Sequence, residues 1–118
     1  MKIINVVNVL GTSNLLTSER GTYLRKIIES VISNSSQVNL DFSGYEFISS
    51  SFINSAFGDL CLELDWSVSD FYKKINLSSI EEDDKNDIEL SIFNAKRRNE
   101  LIKSGKNLSD YYPSTFAY

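Results

Sequence analysis

Three consecutive serines, Ser49, Ser50 and Ser51, are the residues of this chain best placed to do chemistry. They follow a short apolar turn (Tyr45, Phe47, Ile48) and precede Ile53, Ala56, Phe57, Leu60 and Leu64, which recur at i, i+3, i+4, i+7 and i+11. That spacing is the stripe of an amphipathic helix. The serines therefore stand at the mouth of a helix, where a hydroxyl can cap the first turn and open backbone N–H groups favour an anion. The readings are helix capping and non-covalent binding of an anion or nucleotide. The chain has no histidine, so Ser-His-Asp and Cys-His catalysis are excluded, as is a histidine-ligated metal site. The acidic run Glu81, Glu82, Asp83 and Asp84 reads as a helix start rather than a paired-carboxylate site. No enzyme, cofactor or metal is expected.

The helix has to be positioned by what precedes it. Val38, Leu40 and Phe42 alternate with Asn39 and Asp41, the period-two pattern of a strand from Val38 to Phe42. Ser43-Gly44 is turn chemistry. Asp41 falls at the end of the strand, where it either faces solvent beside the serine turn or bonds nearby backbone N–H groups. Upstream, Leu24, Ile27, Ile28, Val31 and Ile32 mark a second amphipathic helix, capped by Thr17 or Ser18. Arg20-Gly21 near its start is unusual, because glycine in a helix interior costs about 1 kcal/mol relative to alanine. Either the backbone approaches something closely there, or the helix begins after Gly21. In the functional reading, Arg20 and Gly21 border a binding surface shared with the serine turn.

The segments Leu40-Asp41-Phe42-Ser43-Gly44 and Ile48-Ser49-Ser50-Ser51-Phe52-Ile53 resemble the core of STAS domains, the fold of anti-sigma-factor antagonists and sulfate-transporter tails. The nearer likeness is to compact bacterial and phage STAS-like domains of unknown function, and it extends from Ile3 to about Ile102. This resemblance implies an α/β fold with a mixed sheet of about four strands packed with about three helices. It also implies a non-enzymatic regulatory module whose protein partner is an ATPase of the histidine-kinase-like fold. In anti-sigma-factor antagonists, an aspartate-serine-serine-glycine turn carries the phosphoacceptor. By that likeness the acceptor falls on Ser50 and the second serine on Ser51, while Ser49 replaces the aspartate and Phe52 the glycine. The candidate partner- or ligand-binding residues are thus Arg20, Gly21, Asp41, Ser49, Ser50, Ser51 and Phe52. Two other readings stand beside this switch: a small-ligand or nucleotide sensor using the turn and Arg20, and a phage or mobile-element inhibitor of a host protein.

Elsewhere strands and helices alternate. Ile3 to Leu10 (IINVVNVL) is rich in β-branched residues and reads as a buried strand. Phe71, Lys73, Ile75 and Leu77 alternate with Tyr72, Lys74 and Asn76 as another strand with one solvated or edge-like face, whose lysines discourage edge pairing with other chains. Ser79 and Glu82 have capping-box spacing and open a helix from Ile80 to Lys103, acidic in front and basic behind, as the helix dipole favours. Lys96-Arg97-Arg98 reads as the solvated face of that helix or as a basic docking patch. Ser104-Gly105 stops it. Residues 106–118 form an aromatic C-terminal tail, with Tyr111, Tyr112, Phe116 and Tyr118 around Pro113, which folds back on the domain or inserts into a partner.

At 118 residues, 42% hydrophobic and 24% charged, the chain reads as a single domain, 1–118, able to bury a core without staples. A net charge of −4 argues against a nucleic-acid partner, because neutralising phosphates needs a basic surface. The single cysteine, Cys61, excludes an internal disulfide, suits a reducing cytoplasm and reads as a packed thiol. The N-terminus lacks the apolar core of a signal peptide and no run approaches membrane-spanning length, so a cytoplasmic protein with no membrane partner is expected.

Overall fold

The computed structural model describes residues 1–35 and 37–103. Along the chain these build β1 (Lys2–Asn5), α1 (Val6–Leu10), β2 (Asn14–Leu15), α2 (Ser18–Ile32), β3 (Val38–Asp41) and β4 (Phe47–Ile48). Then come α3 (Ser50–Ile53), a π-helical turn (Asn54–Gly58), α4 (Asp59–Leu64), α5 (Val68–Lys74), β5 (Ile75–Ser78) and α6 (Glu82–Lys103). The strand β3 lies between β1 and β5, parallel to both, with Ile4, Leu40 and Leu77 in register. A separate parallel ladder pairs β2 with β4. The expected mixed sheet of about four strands is therefore a three-stranded parallel sheet plus a two-stranded one. Helical crossovers separate the paired strands, and such connections impose parallel pairing. The turn at Gly44, with φ 87°, takes the chain out of the sheet to pair Phe47 and Ile48 with Asn14 and Leu15.

Alternation sends Ile4, Val38, Leu40 and Ile75 into the core. It leaves Asn39, Asp41, Asn76 and Ser78 on the other face of the sheet, where Asn39 Nδ2 donates to Ser78 Oγ at 3.0 Å. The segments α3, the π-helical turn and α4 follow one another as a single central helix packed between α2 and α6. Glycines set both crossings. A Cβ at Gly21 of α2 would stand 2.6 Å from the Phe52 carbonyl oxygen, and one at Gly58 would stand 2.6 Å from Ser91 Oγ of α6. A relay of rings crosses the core: Tyr45 to Phe42 at 5.9 Å, Phe42 to Phe57 at 6.4 Å, Phe57 to Phe71 at 5.9 Å and Phe71 to Tyr72 at 5.3 Å between centroids. Both terminal phenols are pinned to α6, Tyr45 donating to Asp84 at 2.6 Å and Tyr72 to Glu89 at 2.8 Å. Cys61 is buried, and that burial pushes its thiol up to about 12.

Several sequence expectations are corrected. The first strand stops at Asn5, whose side chain accepts from the Asn8 N–H at 3.0 Å and caps the helix α1. The β-branched run Val6, Val7 and Val9 lies in that short helix, closed by Gly11 in the left-handed region at φ 69°. The helix α2 begins before Gly21, capped by Thr17, and the glycine is there for close packing. The strand expected from Phe71 to Leu77 is half helix. Ser67 and Asp70 form a capping box that starts α5, so Lys73 and Lys74 sit in a helix's last turn and strand begins only at Ile75. That strand lies at an edge of the three-stranded sheet. Ser79 does not cap α6. It turns the chain at φ 57°, the helix starts at Glu82, and the Glu81 N–H is taken by the Tyr45 hydroxyl at 3.0 Å. Among the described residues no helix is long and apolar enough to cross a membrane. The expectations for Ser104-Gly105 and for the tail 106–118 lie outside the described residues.

Candidate functional site

The structure divides the three serines by role. Ser49 belongs to the fold: its Oγ accepts from the Phe52 N–H at 3.1 Å and donates to the Leu16 carbonyl at 2.6 Å. Its own N–H donates to the Leu15 carbonyl at 2.9 Å, so the residue ties the central helix to the β2–β4 ladder. Ser50 and Ser51 occupy the exposed first turn. Phe52 turns inward and is fully buried, so it stands in the core and not on the surface of the turn. Its bulk fills the space beneath α2, and its carbonyl is what Gly21 packs against.

Polar grooves open beside the exposed serines, between the central helix and α6. Ser50, Ile53, Asn54, Asp87, Leu90, Ser91 and Asn94 line one of about 300 Å³. Ser51, Ser55, Gly58 and Arg98 line its neighbour of about 280 Å³, and Asn54, Ser91 and Asn94 belong to both. Asn54 begins the π-helical turn, whose i→i+5 bonding widens the helix locally, a distortion frequent at functional sites. Ser91 is only 8% exposed, and its hydroxyl donates to Asn54 Oδ1 at 2.6 Å and fixes that amide at the groove floor. The walls therefore offer hydroxyls and amides, with the Asp87 carboxylate and the exposed Leu90 at one side. Such a surface can hydrogen-bond a partner's polar groups. A phosphate on Ser50 would put further negative charge in a groove that Asp87 already lines.

Other candidates lie apart from this groove. The Arg20 guanidinium donates from Nη1 to the Leu10 carbonyl and lines a different cavity with Val9, Leu10, Thr17, Glu19 and Tyr23. Gly21 is buried at the crossing of α2 and the central helix, touching the serine turn from within. Asp41 accepts from Ser43 Oγ at 2.6 Å and Ser43 N at 3.0 Å, and these bonds hold its carboxyl below the usual carboxylate value. It closes an Asx-type turn at the end of β3. Lys96 is engaged rather than offered for docking: its Nζ pairs with Asp65 Oδ1 at 2.9 Å, which pushes its own pKa up. The sequence reasoning missed Asn54, Asp87, Ser91 and Asn94. One signal was there: Ile88, Ser91, Ile92 and Ala95 are a single buried helical stripe, and a serine within such a stripe requires a polar partner.

The family described as a STAS-like domain of unknown function matches residues 20–85, a span holding the candidate serines, Gly21 and Asp41. No curated protein and no solved structure matches the chain.

Proposed function

Because the chain belongs to the family of STAS-like domains of unknown function, we propose that it is a cytoplasmic, non-enzymatic regulatory module that binds a protein partner through the start of its central helix. Charge added at Ser50 weakens that complex. The observation that carries this reading is the separation of Ser49, consumed as a cap, from Ser50, exposed beside a groove lined by Asp87 and Leu90. A phosphate on Ser50 is favoured locally by the helix start. A partner closing over it has to desolvate that charge next to a second carboxylate, which is costly. An ATPase of the histidine-kinase-like fold is the partner class that the family resemblance supports, since it could both bind the turn and phosphorylate it. Arg20 and Ser50 line separate cavities, which favours a protein partner over one nucleotide bridging the two.

Capture with the full chain from its native cells, followed by mass spectrometry, identifies the partner, and calorimetry then compares the parent with Ser50→Asp and Ser50→Ala. Ser50→Asp is expected to keep the parent's melting temperature and to weaken binding about tenfold or more, equivalent to about 1.4 kcal/mol. Ser50→Ala should bind like the parent. Equal affinities for all three would remove the turn from the interface.

A further inference from the structure

A cavity of about 570 Å³ opens between α1 and α2, separate from the grooves beside the serine turn. Val9 and Leu10 of α1 line one side of it, and Thr17, Glu19, Arg20 and Tyr23 at the start of α2 line the other. Its volume falls in the range of sites that take small molecules, about 300–1,000 Å³. Arg20 is the residue out of place. It stands in the first turn of α2, where the helix dipole favours negative charge and opposes a cation. Its Nη1 donates to the Leu10 carbonyl at the end of α1, which fixes the guanidinium against the cavity wall. That bond occupies one N–H of a fork that carries several. Among the described residues Arg20 has no ion pair, although Glu19 shares the cavity, so its charge and remaining donors are open to a ligand.

The walls set the rest of the ligand's chemistry. Val9 is 41% and Tyr23 57% exposed, and Tyr23 lies three residues from Arg20 on the same face of α2. An apolar or aromatic body can lie between them while its acid group meets the guanidinium, whose planar fork matches a carboxylate. The Glu19 carboxylate opposes a second negative charge in the same space, which disfavours a phosphate dianion or a nucleotide. We propose that this cavity binds a small monocarboxylate with an apolar body, Arg20 holding the acid group and Val9 and Tyr23 the body. The site stands apart from the partner-binding turn at Ser50 and does not depend on it.

Titration of the isotope-labelled full chain, followed by two-dimensional NMR, tests the site. Phenylacetate is the probe, set against acetate, phenethyl alcohol and phenyl phosphate, which lack the body, lack the charge or double it. Phenylacetate is expected to shift the amide signals of Val9, Leu10 and residues 17–23 saturably, and to bind about tenfold more tightly than any of the other three. Arg20→Gln should weaken phenylacetate about tenfold through loss of the charge-assisted pair. Tyr23→Ala should weaken it as well, and Glu19→Gln should narrow the preference for phenylacetate over phenyl phosphate. These last two variants leave the Arg20–Leu10 bond intact and carry the test if Arg20→Gln unfolds. No saturable shift with phenylacetate, equal affinity for phenethyl alcohol, unchanged binding in the folded variants, or shifts centred on Ser50 would each overturn the proposal.

Discussion

The α-carbon of Gly21 lies against the backbone of the serine helix, so closely that a Cβ there would stand 2.6 Å from the Phe52 carbonyl and 2.9 Å from Ser55 Cβ. Alanine would favour the helix by about 1 kcal/mol, but the atoms it meets include backbone that cannot rotate away. Overpacking of this kind costs about 1–3 kcal/mol and outweighs the gain. Gly21→Ala should therefore lower the urea midpoint. Gly58→Ala should cost less, because its nearest neighbour is the Ser91 hydroxyl, which can turn aside at the loss of one hydrogen bond. A stabilised Gly21→Ala variant would contradict the close crossing.

Substitutions along one helix should separate cap, surface and core. Ser49→Ala removes the acceptor for the Phe52 N–H and the donor to Leu16, for a loss of about 0.5–2 kcal/mol. Ser50→Ala, on the exposed first turn, should stay within about 0.5 kcal/mol of the parent. Phe57→Ala, fully buried between Phe42 and Phe71, should lose about 3–5 kcal/mol. Chemical denaturation of the three variants reads the order directly, and equal losses at Ser49 and Ser50 would put the cap on the wrong residue.

Acid should act through Asp65. Its carboxylate accepts from Lys103 Nζ at 2.6 Å, Lys96 Nζ at 2.9 Å and Asn99 Nδ2 at 2.8 Å, and these donors, Lys103 foremost, hold its pKa far below the usual value. A depressed folded-state pKa adds stability that is fully present above the unfolded value, about 4, and is lost as the pH falls toward the folded one. Asp65→Asn keeps a residue that tolerates the left-handed φ of 55° while removing the charge. The stability gap between parent and variant should be widest near neutrality and shrink below about pH 4. A gap independent of pH would mean that the charge adds nothing.

Alkali should act through Tyr45. Partial burial first, and then its bond to Asp84, push this phenol up to about 12. A raised folded-state pKa means stability fully present below the unfolded value of about 10 and lost as the pH climbs toward the folded one. Tyr45→Phe should cost about 1 kcal/mol at neutral pH through the lost bonds to Asp84 and Glu81. It should also flatten the alkaline limb of the stability curve, as denaturant melts across that range would show.

Where local pattern and tertiary role coincide, the sequence is legible. Val38 and Leu40 alternate because one sheet face is buried, and the stripe from Ile53 to Leu60 is the buried side of the central helix. Elements joined without a loop are harder to read. Phe71, Lys73, Ile75 and Leu77 mimic one strand because their alternation runs across the α5–β5 junction, whereas Ser67 and Asp70 held the true start signal. Asn5 and Gly11 likewise bracket α1 with ordinary cap chemistry that β-branched valines obscure. The site was half readable. A serine cluster before an apolar stripe announces a helix start, but which serine caps it depends on Leu16, thirty-three residues away. The π-helical turn and the Asn54–Ser91 bond arise from packing between distant segments and leave no local period.

The pairing of Lys2 with Val38, and of Val38 with Ile75, has a consequence for how the molecule is made. Each ladder of the main sheet closes a loop of more than 35 residues, with no hairpin to nucleate either one. Loop-closure entropy has to be met before any strand contact is gained, so the contact order is high and the sheet should form late and cooperatively. On the ribosome, β1 has no partner in this sheet until Val38 emerges, and β3 keeps one bare edge until Ile75 follows. A nascent chain stalled between those points would present an unpaired parallel strand to its surroundings, which makes prompt synthesis of α5 and β5 the step that protects it from aggregation.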